Sequence, residues 1–124
     1  MKTFLVAALV FSLMDALWLG LVANKFYKEH IGFLLADKPN WTAAVLFYAI
    51  FLVGLVVFVI NPADSATKAL TMGALFGLVT YATYDLTNQA TLAKWPVVVT
   101  LVDMIWGIVI AGTTAFLTKI IIDR

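Results

Sequence analysis

Apolar residues run almost unbroken through four stretches of the chain, and polar residues collect in the short intervals between them. The stretches cover about residues 3–23, 41–60, 67–90 and 97–121. Each is near the roughly 20 residues that an α-helix needs to cross a hydrocarbon layer. Continuous apolar runs of this length, without strand-like alternation, predict an all-α protein. The expected architecture is a four-transmembrane-helix bundle, with residues 1–124 forming a single integral membrane domain.

The intervals carry the expected punctuation. Asn61-Pro62-Ala63-Asp64-Ser65 ends the second span and caps the third, because Pro62 cannot continue a helix and Asp64 or Ser65 can accept backbone N–H bonds. Lys94-Trp95-Pro96 does the same before the fourth. Between the first two spans, Asn24 to Asn40 reads as a loop holding three lysines, with Ile31-Gly32-Phe33-Leu34-Leu35-Ala36 lying along the membrane surface. Lys2 ahead of the apolar run Phe4 to Phe11 resembles the start of a signal peptide. Asp15 and Trp18, however, interrupt the small-residue pattern that cleavage requires, and the segment is expected to stay as the first span.

Composition sharpens the class. With 64% apolar and 12% charged residues and a mean hydropathy of +1.03, the chain holds more apolar surface than a soluble core of this size could hide. A net charge of +1 with scattered lysines excludes a basic nucleic-acid-binding face. The absence of cysteine excludes disulfides and thiolate metal sites. Phe26, Tyr27, Trp41 and Trp95 fit an aromatic belt at the span ends, and membrane lipids are the expected surroundings. Lys2, Lys68, Lys119 and Arg124 on the side of the termini balance Lys25, Lys28, Lys38 and Lys94 on the other. Only the free amino group beside Lys2 tips the termini towards the cytoplasm.

Three aspartates then stand out. Asp15, Asp85 and Asp103 lie inside spans that contain no Lys or Arg near them. A carboxylate at a helix centre costs roughly 2.5 to 3.5 kcal/mol to insert, so such residues are expected to be protonated, hydrogen-bonded, ion-bound or turned to a wet cavity. At about 1.5 Å per residue they lie about 18, 27 and 9 Å along their spans, all in the half of the membrane away from the termini. The first, third and fourth spans are therefore expected to bring them to one pocket, lined also by Trp18, Tyr84, Asn88 and Trp106. On this reading Asp15 and Asp103 are the deeper pair and Asp85 sits nearer a helix end.

Their neighbours repeat. Asp15-Ala16-Leu17-Trp18-Leu19-Gly20 and Asp103-Met104-Ile105-Trp106-Gly107 both read Asp-x-x-Trp with a glycine behind. Residues three apart share a helix face, so each indole is expected beside its own aspartate, with Gly20 and Gly107 admitting another backbone. In the third span seven of the nine side chains from Tyr81 to Gln89 can hydrogen-bond. Helical spacing sets Gly73, Gly77, Tyr81, Asp85 and Asn88 on one stripe. Gly73-x-x-x-Gly77 gives a smooth packing surface, and the polar end of the stripe faces the bundle interior. The second span, with only Thr42 and Tyr48 as polar side chains and Gly54 as a packing point, reads as support. Thr100, Thr113 and Thr114 are expected to bond back to their own helix, and His30, beside Lys28 and Glu29, to be solvated.

On these motifs, together with Phe47-Tyr48 and Tyr84-Asp85-Leu86-Thr87-Asn88, the chain resembles a family of small bacterial four-helix predicted membrane proteins of unknown function. The resemblance covers nearly the whole chain. It implies a four-helix protein of a bacterial cytoplasmic membrane and transfers no activity.

The residues themselves favour a binding or transport site for a lipid-soluble or cationic ligand, built from Asp15, Trp18, Tyr81, Tyr84, Asp85, Asn88, Asp103 and Trp106 and open to coupling with a proton. Gly20, Gly73, Gly77 and Gly107 are the packing positions. Two other readings stand beside it: a helix-assembly role, as a homodimer or partner subunit of a membrane complex, and an enzyme or enzyme subunit acting on a membrane lipid, with Asp85 and Asp103 as acid and base or as ligands for a hard divalent cation. The sequence holds no Ser-His-Asp set and no His-x-x-x-His spacing, so no catalytic residue, metal or cofactor is assigned.

Overall fold

The computed structural model describes residues 1–124, and its four helices are α1 (Lys2–Leu34), α2 (Trp41–Ile60), α3 (Ala66–Thr91) and α4 (Val97–Ile122). The fold is the all-α bundle that the hydropathy pattern predicts, and three of the helices, α1, α2 and α4, are long and apolar enough to cross a membrane. The starts of α2 and α3 follow local chemistry. The Asn40 side chain accepts the Ala43 N–H at 3.1 Å, and Ser65, rather than Asp64, accepts the Lys68 N–H at 3.1 Å. Pro96 precedes α4, where its missing N–H costs nothing.

The first helix departs from expectation. It does not end near Ala23. It runs as an α-helix over Lys2–Trp18, widens into a π turn at Leu19–Ala23, resumes as an α-helix over Asn24–Ile31 and tightens into a 3₁₀ turn at Gly32–Leu34. The segment read as a loop from Asn24 is thus helical almost to Leu34, and only Leu35 to Asn40 connects it to α2. The physical reason is that a helix need not stop where its apolar content falls. Asn24, Lys25, Lys28 and Glu29 point outwards, while Ala23 and Ile31 are buried and Tyr27 is half-buried on the inner face. At 33 residues the helix is about 50 Å long, well beyond a hydrocarbon layer of about 30 Å, so its outer turns reach the headgroup level.

Packing divides the bundle into two halves. Near the termini an apolar core joins Ala7 and Phe11 of α1, Phe51, Leu55 and Ile60 of α2, Ala69 of α3, and Ile110, Ala111 and Ala115 of α4. Phe11 holds α2 by meeting Tyr48 edge-on at 5.3 Å between ring centroids. Antiparallel to one another, α3 and α4 approach most closely, because glycines face small residues along their seam. A Cβ built on Gly73 would lie 2.8 Å from both the Ala111 carbonyl oxygen and Ala115 Cβ, and one on Gly77 would overlap the Gly107 carbonyl. Gly20 has no such role: it is exposed, with nothing within 4 Å of its would-be Cβ. Five residues on from Asp15, it lies roughly 140° around the helix, on the far side from the bundle.

The outer half is looser. Val45, Leu46 and Ile50 in the first half of α2 are 64%, 57% and 70% exposed, so this part of α2 faces outwards and the polar parts of the other three helices gather beneath it.

Candidate functional site

Asp103 stands six residues into α4, and α3 returns antiparallel to place Asp85 beside it. Asp85 is fully buried, Asp103 is 6% exposed and Asp15, on α1, is 9% exposed. Asp85 is thus the most enclosed of the three within the protein, because the Gly77–Gly107 approach draws this end of α3 against α4. Across the α3–α4 seam the neighbouring acidic side chain of Asp85 is Asp103, and neither Asp85 carboxyl oxygen has a hydrogen-bond donor. The Tyr27 hydroxyl, from the unexpectedly helical part of α1, donates to Asp103 Oδ1.

Above Asp103 opens a cleft of about 540 Å³, within the size range of small-molecule sites. Tyr27, Ile31 and Leu35 form the α1 side, and Phe47 of α2 closes another. Thr80, Tyr81 and Tyr84 come from α3, and Trp95 precedes α4. Asp103 is the one carboxyl among these side chains. Trp95 is fixed by a ring of polar contacts. Its indole Nε1 donates to Thr100 Oγ1 at 3.1 Å, Thr100 donates to Gln89 Oε1 at 2.8 Å, and Gln89 Nε2 donates to the Trp95 carbonyl at 2.7 Å. The Tyr84 ring meets Trp95 edge-on at 5.8 Å.

Below the cleft lies a second layer. Trp18 and Trp106 stack nearly parallel, with centroids 4.5 Å apart and 10° between planes. Trp106 Nε1 is buried and makes no hydrogen bond. Trp18 stands beside the Tyr27 hydroxyl. Neither indole hydrogen-bonds the aspartate three residues before it: Asp103 accepts from Tyr27 instead, and the two indoles stack on one another. The stacked pair joins α1 to α4.

Across residues 1–120 the sequence matches a family described as "Predicted membrane protein (DUF2177)". The chain belongs to this family. No curated protein matches it, and no solved structure does.

Of the residues singled out in this DUF2177 member, Tyr81, Tyr84 and Asp103 line the cleft. Asp15, Trp18 and Trp106 form the layer beneath, Asp85 is sealed behind Asp103, and Asn88 stands beside Tyr84. All three aspartates are within electrostatic reach of Tyr81, yet no three acidic or histidine side chains approach closely enough to hold a metal ion. The single pocket expected to contain every one of these residues is in fact two layers. Tyr27, Ile31, Leu35, Phe47, Thr80 and Trp95 are cleft residues that the sequence did not single out as such. Tyr27 and Trp95 read as interfacial anchors, whereas Tyr27 is bonded to Asp103 and Trp95 is only 6% exposed. A signal for Tyr27 exists: Ala7, Phe11 and Asp15, then Ala23, Tyr27 and Ile31, repeat every four residues, a spacing that a π turn keeps on one face.

Thr100 bonds across to Gln89, and Thr114 reaches Met14 Sδ on α1 at 3.9 Å, so neither simply bonds back to its own helix. His30 turns its Nδ1 to the Phe26 carbonyl at 2.9 Å and its ring onto Phe26, leaving it half-buried rather than fully solvated.

Chemically, Asp103 offers the cleft a carboxyl group, one oxygen of which accepts from the Tyr27 hydroxyl. The faces of Tyr81, Tyr84 and Trp95 supply apolar surface and negative ring potential around it.

Proposed function

We propose that this membrane protein binds, and in a membrane moves, a lipid-soluble molecule carrying a positive charge, with Asp103 as the counter-charge and the aromatic cleft holding the apolar body. The observation that carries this reading is the Tyr27–Asp103 hydrogen bond at the base of a cleft walled, apart from Thr80, by apolar and aromatic side chains. Such a wall favours an apolar ligand by burial, and a buried carboxylate favours a cation because water cannot screen it. The cleft lies in the outer half of a bundle whose inner half is closed by the Phe11–Phe51 core, as a site reached from one face or from the lipid would be. Residence in a bacterial cytoplasmic membrane with cytoplasmic termini belongs to the same proposal.

The test is equilibrium binding of tetraphenylphosphonium to the protein in lipid nanodiscs, with neutral triphenylphosphine oxide as comparison. The cation binds saturably and the neutral compound poorly. Asp103→Asn weakens the cation by about 30-fold or more, the loss expected when one partner of a buried charge pair is removed. Equal binding of both compounds, or an unaffected Asp103→Asn, sinks the proposal.

A second reading, assembly with another copy or a partner subunit, draws on Ser12, Ala16 and Gly20, which are exposed four residues apart on the outer face of α1. If that reading holds, Gly20→Ile disperses an oligomer in nanodiscs or detergent and leaves cation binding unchanged.

A further inference from the structure

Asp85 is the best-hidden charged residue type in the protein, and its surroundings are unusual. Its side chain is 0% exposed, and no N–H or hydroxyl donor satisfies either carboxyl oxygen. No lysine, arginine or histidine faces it, and the only ion pair in the chain, Lys119–Asp123 at 3.6 Å, lies at the far end of α4. The titratable groups around it are Asp103 of α4, Tyr27 of α1, and Tyr81 and Tyr84 of its own helix. None is a cation. An ionised Asp85 would therefore be a buried carboxylate with no donor, pressed against a second carboxyl group, which is the costliest state available to it. A neutral Asp85 has one O–H to donate, and Asp103 is the acceptor it meets.

We infer that Asp85 is a neutral acid at neutral pH that donates its proton-bearing oxygen to Asp103, so that the site presents one negative charge. This rests on the cation-binding reading of the cleft and deepens it. Asp103 becomes a carboxylate held from two sides, by the Tyr27 hydroxyl of α1 and the Asp85 hydroxyl of α3, which leaves one oxygen direction for the ligand. Asp85 is thus a positioning residue, and it also sets the valence of the site. A pair bearing one charge is matched by a monocation, whereas a pair bearing two would favour a divalent ion. The ligand class narrows to singly charged, lipid-soluble cations.

Infrared difference spectroscopy and binding test this together. The wild-type protein in nanodiscs at neutral pH should show the carbonyl stretch of a protonated carboxylic acid in a dry setting, lost in Asp85→Asn and kept in Asp15→Asn. Asn keeps an N–H donor, so Asp85→Asn should bind tetraphenylphosphonium within about threefold of wild type, whereas Asp85→Leu, similar in size but without a donor, should bind about tenfold or more weakly. Absence of the acid band, or its persistence in Asp85→Asn, overturns the inference. So does an Asp85→Asn protein that loses binding as fully as Asp103→Asn, because the charge of Asp85 would then be required. If Asp85→Leu does not fold, the infrared band and Asp85→Asn still decide. If the wild type shows the Asp85 band and binds no cation, the neutral acid is upheld and the reading of the cleft is what fails.

Discussion

The same substitution, glycine to alanine, should have opposite outcomes at Gly77 and Gly20. A methyl group at Gly77 would enter the space of the Gly107 carbonyl and come within 2.8 Å of Ala111 Cβ. Carbon atoms rest about 3.5 to 4.0 Å apart, so α3 and α4 would have to separate by about 1 Å along their closest contact. Overpacking of this kind costs about 1 to 3 kcal/mol. The gain in helix propensity from glycine to alanine, about 1 kcal/mol, offsets part of that and leaves a net loss of up to about 2 kcal/mol. At Gly20 nothing lies within 4 Å, so only the propensity gain remains. Gly73, with contacts at 2.8 Å, and Gly112, whose nearest neighbours are at 3.3 Å, fall between. Unfolding in mixed lipid–detergent micelles by titration with sodium dodecyl sulfate, followed by tryptophan fluorescence, should rank the alanine variants Gly20, Gly112, Gly73, Gly77 from most to least stable. A Gly77→Ala protein as stable as Gly20→Ala would refute the assignment of the α3–α4 seam as the tight contact that sets Asp85 against Asp103.

Further outcomes follow from the continuation of α1 and from its contact with Asp103. Lys28→Pro, at an exposed position in the outer part of the helix, should cost about 3 kcal/mol in the same titration, since proline removes a helical hydrogen bond and clashes with the preceding turn; a loop there would accept it without loss. Tyr27→Phe removes only the hydroxyl that Asp103 accepts and should lower stability by about 1 to 2 kcal/mol, towards the upper end of hydrogen bonds measured inside membranes because one partner is a carboxyl group. An unchanged unfolding midpoint for Tyr27→Phe would mean that the contact contributes nothing.

Much of the architecture was legible in the hydropathy, because long apolar runs have only one economical backbone form in a bilayer, the helix. Gly73 and Gly77 were equally legible, since their spacing alone places them on one face, and the structure puts that face against Gly107 and Ala111. What could not be read was the course of α1 beyond Ala23. Lys25, Lys28 and Glu29 lower the hydropathy to that of a loop, yet they occupy only the outward face, and the inward face carries Tyr27 to Asp103. The stacking of Trp18 on Trp106 was hidden for a related reason. Local spacing fixes which residues share a face, but whether Trp106 meets Asp103 or stacks on Trp18 depends on where another helix stands. The enclosure of Asp85 likewise follows from the closeness of the α3–α4 seam, which spacing along one helix does not reveal.

The most direct test of the central claim is to locate a bound cation. A photoactivatable benzophenone derivative of a triphenylphosphonium, irradiated with the protein in nanodiscs and mapped by mass spectrometry of the digested chain, reports which side chains surround it. The account predicts adducts on the cleft walls, at Tyr81, Tyr84, Trp95 or Phe47, that disappear with excess tetraphenylphosphonium and in Asp103→Asn. Labelling confined to the outer leucines of α1, or labelling of the cleft that neither competitor nor Asp103→Asn diminishes, would contradict it.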